Sequence, residues 1–159
     1  MTEFRITKYD PSNRENGIYQ VEEWTSISDV GKIFPSGILT QDQYNKVEQA
    51  YIECCIALLR EANITELFVS GLECYHTKIH FPNKLHEEGD IRRIITCCLQ
   101  EKCWAKLEAS NFFIQFGYDY YMYIGTNLPR SLVEETAKKH KLFCELYYSP
   151  YRDGYLNDV

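Results

Sequence analysis

Apolar and polar positions alternate most clearly between Phe112 and Gly125, in the run FFIQFGYDYYMYIG. Phe112, Ile114 and Phe116 alternate with Phe113 and Gln115, and Tyr120, Met122 and Ile124 alternate with Tyr121 and Tyr123. A period of two is that of a pleated strand. Gly117-Tyr118-Asp119 separates the halves, as a tight turn between two strands or a bulge in one long strand. Strands usually run about five or six residues, which favours two strands or one broken strand. Apolar side chains on both faces predict a central position, with helices over one face and loops over the other.

Further elements are predicted on either side of this centre. Phe4 to Tyr9 alternates and reads as a first strand, ended by the turn residues Asp10-Pro11-Ser12-Asn13. Ile18 to Val21 reads as a short extended piece. Trp24, Ile27 and Val30 recur every three residues, which predicts a turn of helix near Ser26 to Val30. Thr40 with Gln43 makes a capping box, in which each side chain satisfies a free backbone donor at a helix start. Tyr44, Val47, Tyr51, Cys54, Cys55, Leu58 and Leu59 then trace one helical face, and Asn63 suits a left-handed stop. Glu66 to Leu72 is a predicted strand. Tyr75, Thr77, Ile79 and Phe81 alternate with His76, Lys78 and His80, which predicts a half-exposed strand hairpinned to it.

Pro82 to Gly89 reads as a polar loop, and Asp90 as the cap of a helix whose inner face is Ile91, Ile94, Ile95, Cys98 and Leu99. Cys103 to Glu108 is a strand, with Ser110-Asn111 turning into the aromatic centre. A last helix is predicted from Asn127 or Leu128, with Pro129 in its first turn, where a missing N–H costs little. Glu134 and Glu135 precede Lys138, Lys139 and Lys141, an order that complements the helix dipole. Leu142 to Tyr148 is a final strand, and Pro150 and Gly154 mark 149–159 as a loosely held tail. Hairpins clustered between helices predict one α+β domain over 1–159, with a mixed or mostly antiparallel sheet packed by about three helices.

Composition narrows the function. The 159 residues suit one domain, and 14% aromatic content, with thirteen tyrosines, suits half-buried sheets and binding surfaces. A net charge of −6 disfavours direct binding to nucleic acid and fits either a soluble protein that stays dispersed or one that meets a basic partner. No run is long enough to span a membrane, and the start lacks the apolar core of a signal peptide, so a cytoplasmic protein is expected. The seven cysteines include the adjacent pairs Cys54-Cys55 and Cys97-Cys98 on helical faces and no C-x-x-C. Reduced, structural thiols follow, with no metal and no cofactor.

Chemistry finds little support. His76 and His80 have the spacing of helical zinc ligands, but on a strand four residues span about 13 Å, too far to share an ion. No cysteine stands in a nucleophile signature, and no phosphate-cradling loop, H-E-x-x-H or G-x-S-x-G occurs. A small cytoplasmic enzyme or metal-binding protein using His76, His80, His86 and the cysteines is the alternative reading; a non-enzymatic protein is the expected one.

Three blocks resemble a known family when taken together: RITKYDP at Arg5 to Pro11, EWTSISDVG at Glu23 to Gly31, and FGYDYYMYIG at Phe116 to Gly125. They are similar to small bacterial cytoplasmic immunity proteins of contact-dependent growth inhibition and related polymorphic toxin systems. The blocks span most of the chain. The resemblance implies a protein that binds and blocks one cognate toxin domain, often a nuclease, and it carries over no catalytic residue. From the residues themselves, the expected contact segment is Glu73 to Asp90. It joins Glu73 and an exposed strand face at His76, Lys78 and His80 to an acidic loop at Glu87, Glu88 and Asp90. Tyr75 joins them if its edge is exposed, and the surface around Glu22, Glu23 and Asp119 is the next candidate.

Overall fold

The computed structural model describes residues 1–76 and 78–152. In chain order its strands begin with β1 (Thr2–Thr7), then the small hairpins β2 (Arg14–Glu15) with β3 (Ile18–Tyr19) and β4 (Ile33–Phe34) with β5 (Gly37–Ile38). Helix α1 (Gln41–Glu61) follows, then β6 (Leu67–Cys74), β7 (Lys84–Leu85) and helix α2 (Glu88–Leu99). The aromatic centre is β8 (Cys103–Ala109), β9 (Phe112–Phe116) and β10 (Met122–Thr126); α3 (Arg130–Lys139) and β11 (Phe143–Leu146) complete the fold.

The main sheet has the order β11-β1-β10-β9-β8-β6-β7, and every neighbouring pair in it is antiparallel. The chain is thus an α+β domain, with β9 at the middle of seven strands. Gly117-Tyr118-Asp119 belongs to a turn between β9 and β10, closed by the Gly117 N–H on the Tyr121 carbonyl at 2.9 Å. Asp119 and Tyr120 hold that turn with φ of 60° and 67°. A non-glycine residue in this left-handed region is uncommon.

Alternation decides the two faces. Phe4, Ile6, Leu107, Ile114, Met122 and Ile124 join the same core cluster as Tyr51, Cys55, Leu58, Ile94, Ile95 and Val133 of the helices. The residues that alternate with them along the strands, Glu3, Arg5, Phe113, Gln115 and Tyr123, turn to the other face and lie outside that cluster. The second face is covered by the segment after β11. Ser149 is buried, its N–H donates to Glu3 at 2.8 Å, and its hydroxyl meets Gln115 at 2.5 Å. Arg152 bridges Glu3, and Tyr151 stacks edge-on against Trp104 and Tyr123. Residues 149–152 are therefore docked where composition predicted a loose tail; the rest of that tail lies outside the described residues.

The capping box and stop of α1 are as predicted. Thr40 Oγ1 accepts from the Gln43 N–H, Gln43 reaches back to the Thr40 N–H, and Asn63 has φ of 53°. Other boundaries differ. Ile27–Asp29 forms a single 3₁₀ turn. Pro129, with ψ of 138°, stands just outside α3 rather than inside it. Glu87, not Asp90, takes the N-cap position of α2, and Asp90 lies in its first turn.

The largest correction concerns Tyr75 to Phe81, whose described residues form no strand. β6 instead runs on to Cys74, and the return strand is β7, opposite Leu67 and Phe68. Thr77 lies outside the described residues. Alternation here has another source: Phe81 packs under the Arg93 guanidinium at 4.3 Å, and the Ile79 carbonyl accepts from Cys74.

β6 carries a bulge. Its register with β8 shifts by one between Ser70 and Glu73, at Gly71, whose φ is 61°. A one-residue slip exchanges the faces of all following side chains. Glu73 is thereby placed directly across from Trp104 instead of turning toward the helices.

Residues 8–40 are clamped to one end of the sheet by tyrosines. Tyr51 Oη accepts from the Lys8 N–H at 2.7 Å and donates to the Tyr120 carbonyl at 2.9 Å. Tyr120 Oη donates to Tyr44 Oη at 3.0 Å, which donates to Glu48 at 2.7 Å. Trp24 packs on Tyr44 and Tyr120, and Lys8 bridges Glu23 beneath the Trp24 ring.

All seven cysteines are free thiols. Burial pushes the Cys54 thiol from 9.0 to about 12, and it raises the Cys55 thiol and the Tyr44, Tyr51 and Tyr120 phenols above their ordinary values. These groups stay neutral in the fold, while the unfolded chain ionises at ordinary values, so stability is full below about pH 9 and falls as pH rises from there. Above its ordinary value, 9.0 for a thiol and 10.0 for a phenol, each such group removes roughly 1.4 kcal/mol per pH unit. Thermal unfolding followed from neutral to about pH 11 should show a level Tm and then a steep fall beginning near pH 9. A level Tm across the whole range would mean that these groups are not buried in solution.

Candidate functional site

A cleft of about 850 Å³ opens at one end of the sheet, assembled from four separate parts of the chain. The end of β6 brings Glu73, Tyr75 and His76. The turn from α2 into β8 brings Cys98, Glu101, Cys103 and Trp104. The β9–β10 turn brings Phe116, Gly117 and Tyr118, and Tyr151 adds a wall from the docked C-terminal segment.

Local rules explain each placement. The Gly71 bulge puts Glu73 beside Trp104. Glu101, with φ of 57°, occupies the left-handed turn that ends α2, so its side chain stands clear of the helix. The Trp104 indole N–H donates to the Phe116 carbonyl at 2.8 Å, which sets the ring against the β9 end. Tyr120 is drawn into the core by Tyr44 and Tyr51, and Tyr118, two residues earlier on the same turn, is left 80% exposed. An aromatic ring so exposed beside Trp104 and Tyr75 is costly in water and suits a contact surface. Cys98 and Cys103 meet inside the cleft wall with their sulfurs 3.8 Å apart. That contact draws the Cys103 thiol below its ordinary value and raises that of Cys98.

The residues predicted from the sequence are divided by the structure. Glu73 and His76 line the cleft, and so does Tyr75, which is 39% exposed. Lys78 and His80 are exposed on the connection to β7 and form no strand face. Glu87, Glu88 and Asp90 start α2, while Cys98 in the cleft wall lies near its other end, about 15 Å along the helix axis from Glu88. Nor is that group a mobile acidic loop. Glu88 is bridged to Arg60 at 2.7 Å and Arg92 at 2.9 Å, which lower its carboxyl, and Asp90 pairs with Arg93 at 3.3 Å. Exposed pairs of this kind add little stability, but they neutralise the charge a basic partner would meet. At the second candidate surface, Glu23 is tied to Lys8 and Tyr19, and the Asp119 carbonyl to Tyr9.

Trp104, Tyr118, Glu101 and Tyr151 were not among the predicted residues. Tyr118 had a local signal, a large ring at the tip of a Gly-Tyr-Asp turn. Trp104 alternates with the inward Cys103 and Ala105, which marks its face but not its neighbours. His86 turns to Glu66 at 3.2 Å, and among the described residues no three His, Cys, Asp or Glu side chains converge as a metal site would require. Among the described residues, no helix is long and apolar enough to cross a membrane.

Comparison with known proteins finds no matching family model, no matching curated sequence and no matching solved structure. What fold and cleft define is a class: a small α+β protein presenting an aromatic, acid-edged cleft at the end of an antiparallel sheet.

Proposed function

We propose that this protein is an immunity protein, which neutralises a cognate bacterial toxin domain by binding it and blocking its active surface without chemistry. The observation that carries this reading is the cleft, where Tyr118 and Tyr75 stand exposed beside the half-buried Trp104 at the edge of an otherwise packed sheet. Central aromatic anchors in a pocket, ringed by polar groups, are the anatomy of a binding hot spot. The resemblance of the Arg5, Glu23 and Phe116 blocks to immunity proteins supports the same reading. A nuclease toxin binds phosphate, so its active surface is basic, and a partner of net charge −6 is steered to it by long-range attraction. The protein acts in the cytoplasm, where its thiols stay reduced. It needs no cofactor and touches neither nucleic acid nor membrane itself.

The test is co-expression with the toxic domain encoded beside this gene. Cells should survive with the intact protein and die when Trp104→Ala is combined with Tyr118→Ala, provided that the variant keeps its circular dichroism spectrum and Tm. A folded double variant that still protects removes the cleft from the mechanism. A gene neighbourhood without any toxin domain overturns the immunity reading.

A further inference from the structure

We infer that the cleft is a seat for a guanidinium group, supplied by an arginine side chain of the protein partner. This rests on the immunity reading for the partner, though not for the chemistry of the seat. Glu73 stands directly across the sheet from Trp104, and cross-strand neighbours of this kind have Cβ atoms about 4.5–5.5 Å apart. Glu101 lines the same cleft from the end of α2. Among the described residues neither carboxylate has an ion-pair or hydrogen-bond partner. Several other acidic side chains are matched, Glu3 with Arg152, Glu23 with Lys8, Glu53 with Arg92, Glu66 with Lys84 and Asp90 with Arg93, and those without a partner among the described residues, such as Glu22, Glu61 and Glu87, lie outside this cleft. Two carboxylates without a cation, set among aromatic faces, leave a vacancy for positive charge.

The fold already contains the filled version of this arrangement. On the second face of the sheet, the Arg5 guanidinium lies 3.9 Å from the centre of the Tyr147 ring and donates to both oxygens of Glu145, at 3.0 and 3.1 Å. Trp104 or Tyr118 with Glu73 offers the same pairing of ring and carboxylate. Ring faces attract cations through their quadrupole, most strongly for tryptophan. A guanidinium suits the cleft better than an ammonium. It is planar, stacks on rings, is weakly hydrated, and can fork its N–H donors between carboxylates.

The experiment uses the full chain labelled with ¹⁵N. The indole N–H of Trp104 is the reporter, identified by its loss in Trp104→Phe, and that of Trp24 is the control. N-acetyl-arginine amide is titrated in, and its citrulline counterpart, which replaces the guanidinium by a neutral urea, is titrated in parallel. The arginine compound should move the Trp104 resonance saturably in the millimolar range, with Trp24 unmoved and no matching shift from citrulline. Combining Glu73→Gln with Glu101→Gln should weaken the arginine effect by about tenfold or more. Tyr118→Ala, at a site so exposed that folding does not depend on it, should weaken it as well. An equal response to citrulline, or undiminished binding in the double glutamine variant, overturns the seat. Protein that protects cells but shows no arginine-dependent shift also overturns the seat, and the immunity reading survives. Protein that binds the amide but protects no cell keeps the seat and loses the immunity reading.

Discussion

Alanine at Tyr51 should remove about 4 kcal/mol of stability, since truncating a large buried aromatic side chain typically costs about 3–5 kcal/mol. Tyr51 is fully buried against the Tyr120 ring, with ring centres 4.9 Å apart. Its hydroxyl joins two backbone groups that are otherwise distant in sequence, the Lys8 N–H and the Tyr120 carbonyl. Tyr51→Phe separates packing from hydrogen bonding. It keeps the ring and leaves both backbone groups without this partner, at a cost of about 1–3 kcal/mol. Denaturant unfolding should show the midpoint falling in that order at constant slope. Because Tyr120 and Tyr118 share one turn, Tyr51→Phe should also weaken the response of Trp104 to N-acetyl-arginine amide. Wild-type stability in Tyr51→Phe would mean that the hydroxyl is not the clamp between residue 8 and the β9–β10 turn.

Valine at Gly125 should cost about 3 kcal/mol or prevent soluble expression, because overpacking at a closed site is costly. Gly125 lies opposite Phe113 in the β9–β10 register, and a Cβ there would stand 2.1 Å from the Phe113 ring. The ring cannot swing away freely, since Phe113 is buried and Arg152 lies over it at 5.7 Å. The requirement is for space, as at other glycines where groups approach closely in a sheet. Even Gly125→Ala should destabilise, and Phe113→Leu should return part of the loss when the two are combined. Such a coupling, seen as non-additive midpoints, identifies the contact as the cause. Strict additivity of the two changes would locate the cost of Gly125→Ala elsewhere.

Local signals in the chain were enough for much of the architecture. A capping box at Thr40 and Gln43, a left-handed stop at Asn63 and the alternation of Phe112 to Ile124 each act over a few residues. Their physics is therefore readable from neighbours in sequence, and the three helices and central antiparallel strands follow from them. The Tyr75 to Phe81 alternation was misleading for a related reason. A strand requires a partner's backbone, and the pattern of side chains does not say whether one is present. Here the outer side of β6 receives β7 at Leu67 and Phe68, and the alternating stretch packs as coil.

The candidate site depends on contacts that no local pattern contains. Glu73 meets Trp104 only because a bulge at Gly71 slips the register by one residue. Tyr151 reaches Trp104 only because Ser149 and Arg152 dock on Glu3 and Gln115, more than thirty residues away in the nearer case. Sequence alone determined the three helices and the central strands, the acidity of the whole and the burial of Cys54, Cys55 and Cys98 on helical faces, since propensity, charge and hydrophobicity belong to residues and their neighbours. Only the tertiary structure decided which acids keep their charge uncompensated. Salt bridges to Arg60, Arg92 and Arg93 quiet Glu88 and Asp90 at the start of α2, while Glu73 and Glu101 are left beside the aromatic rings of the cleft, because ion pairing is set by distance in space.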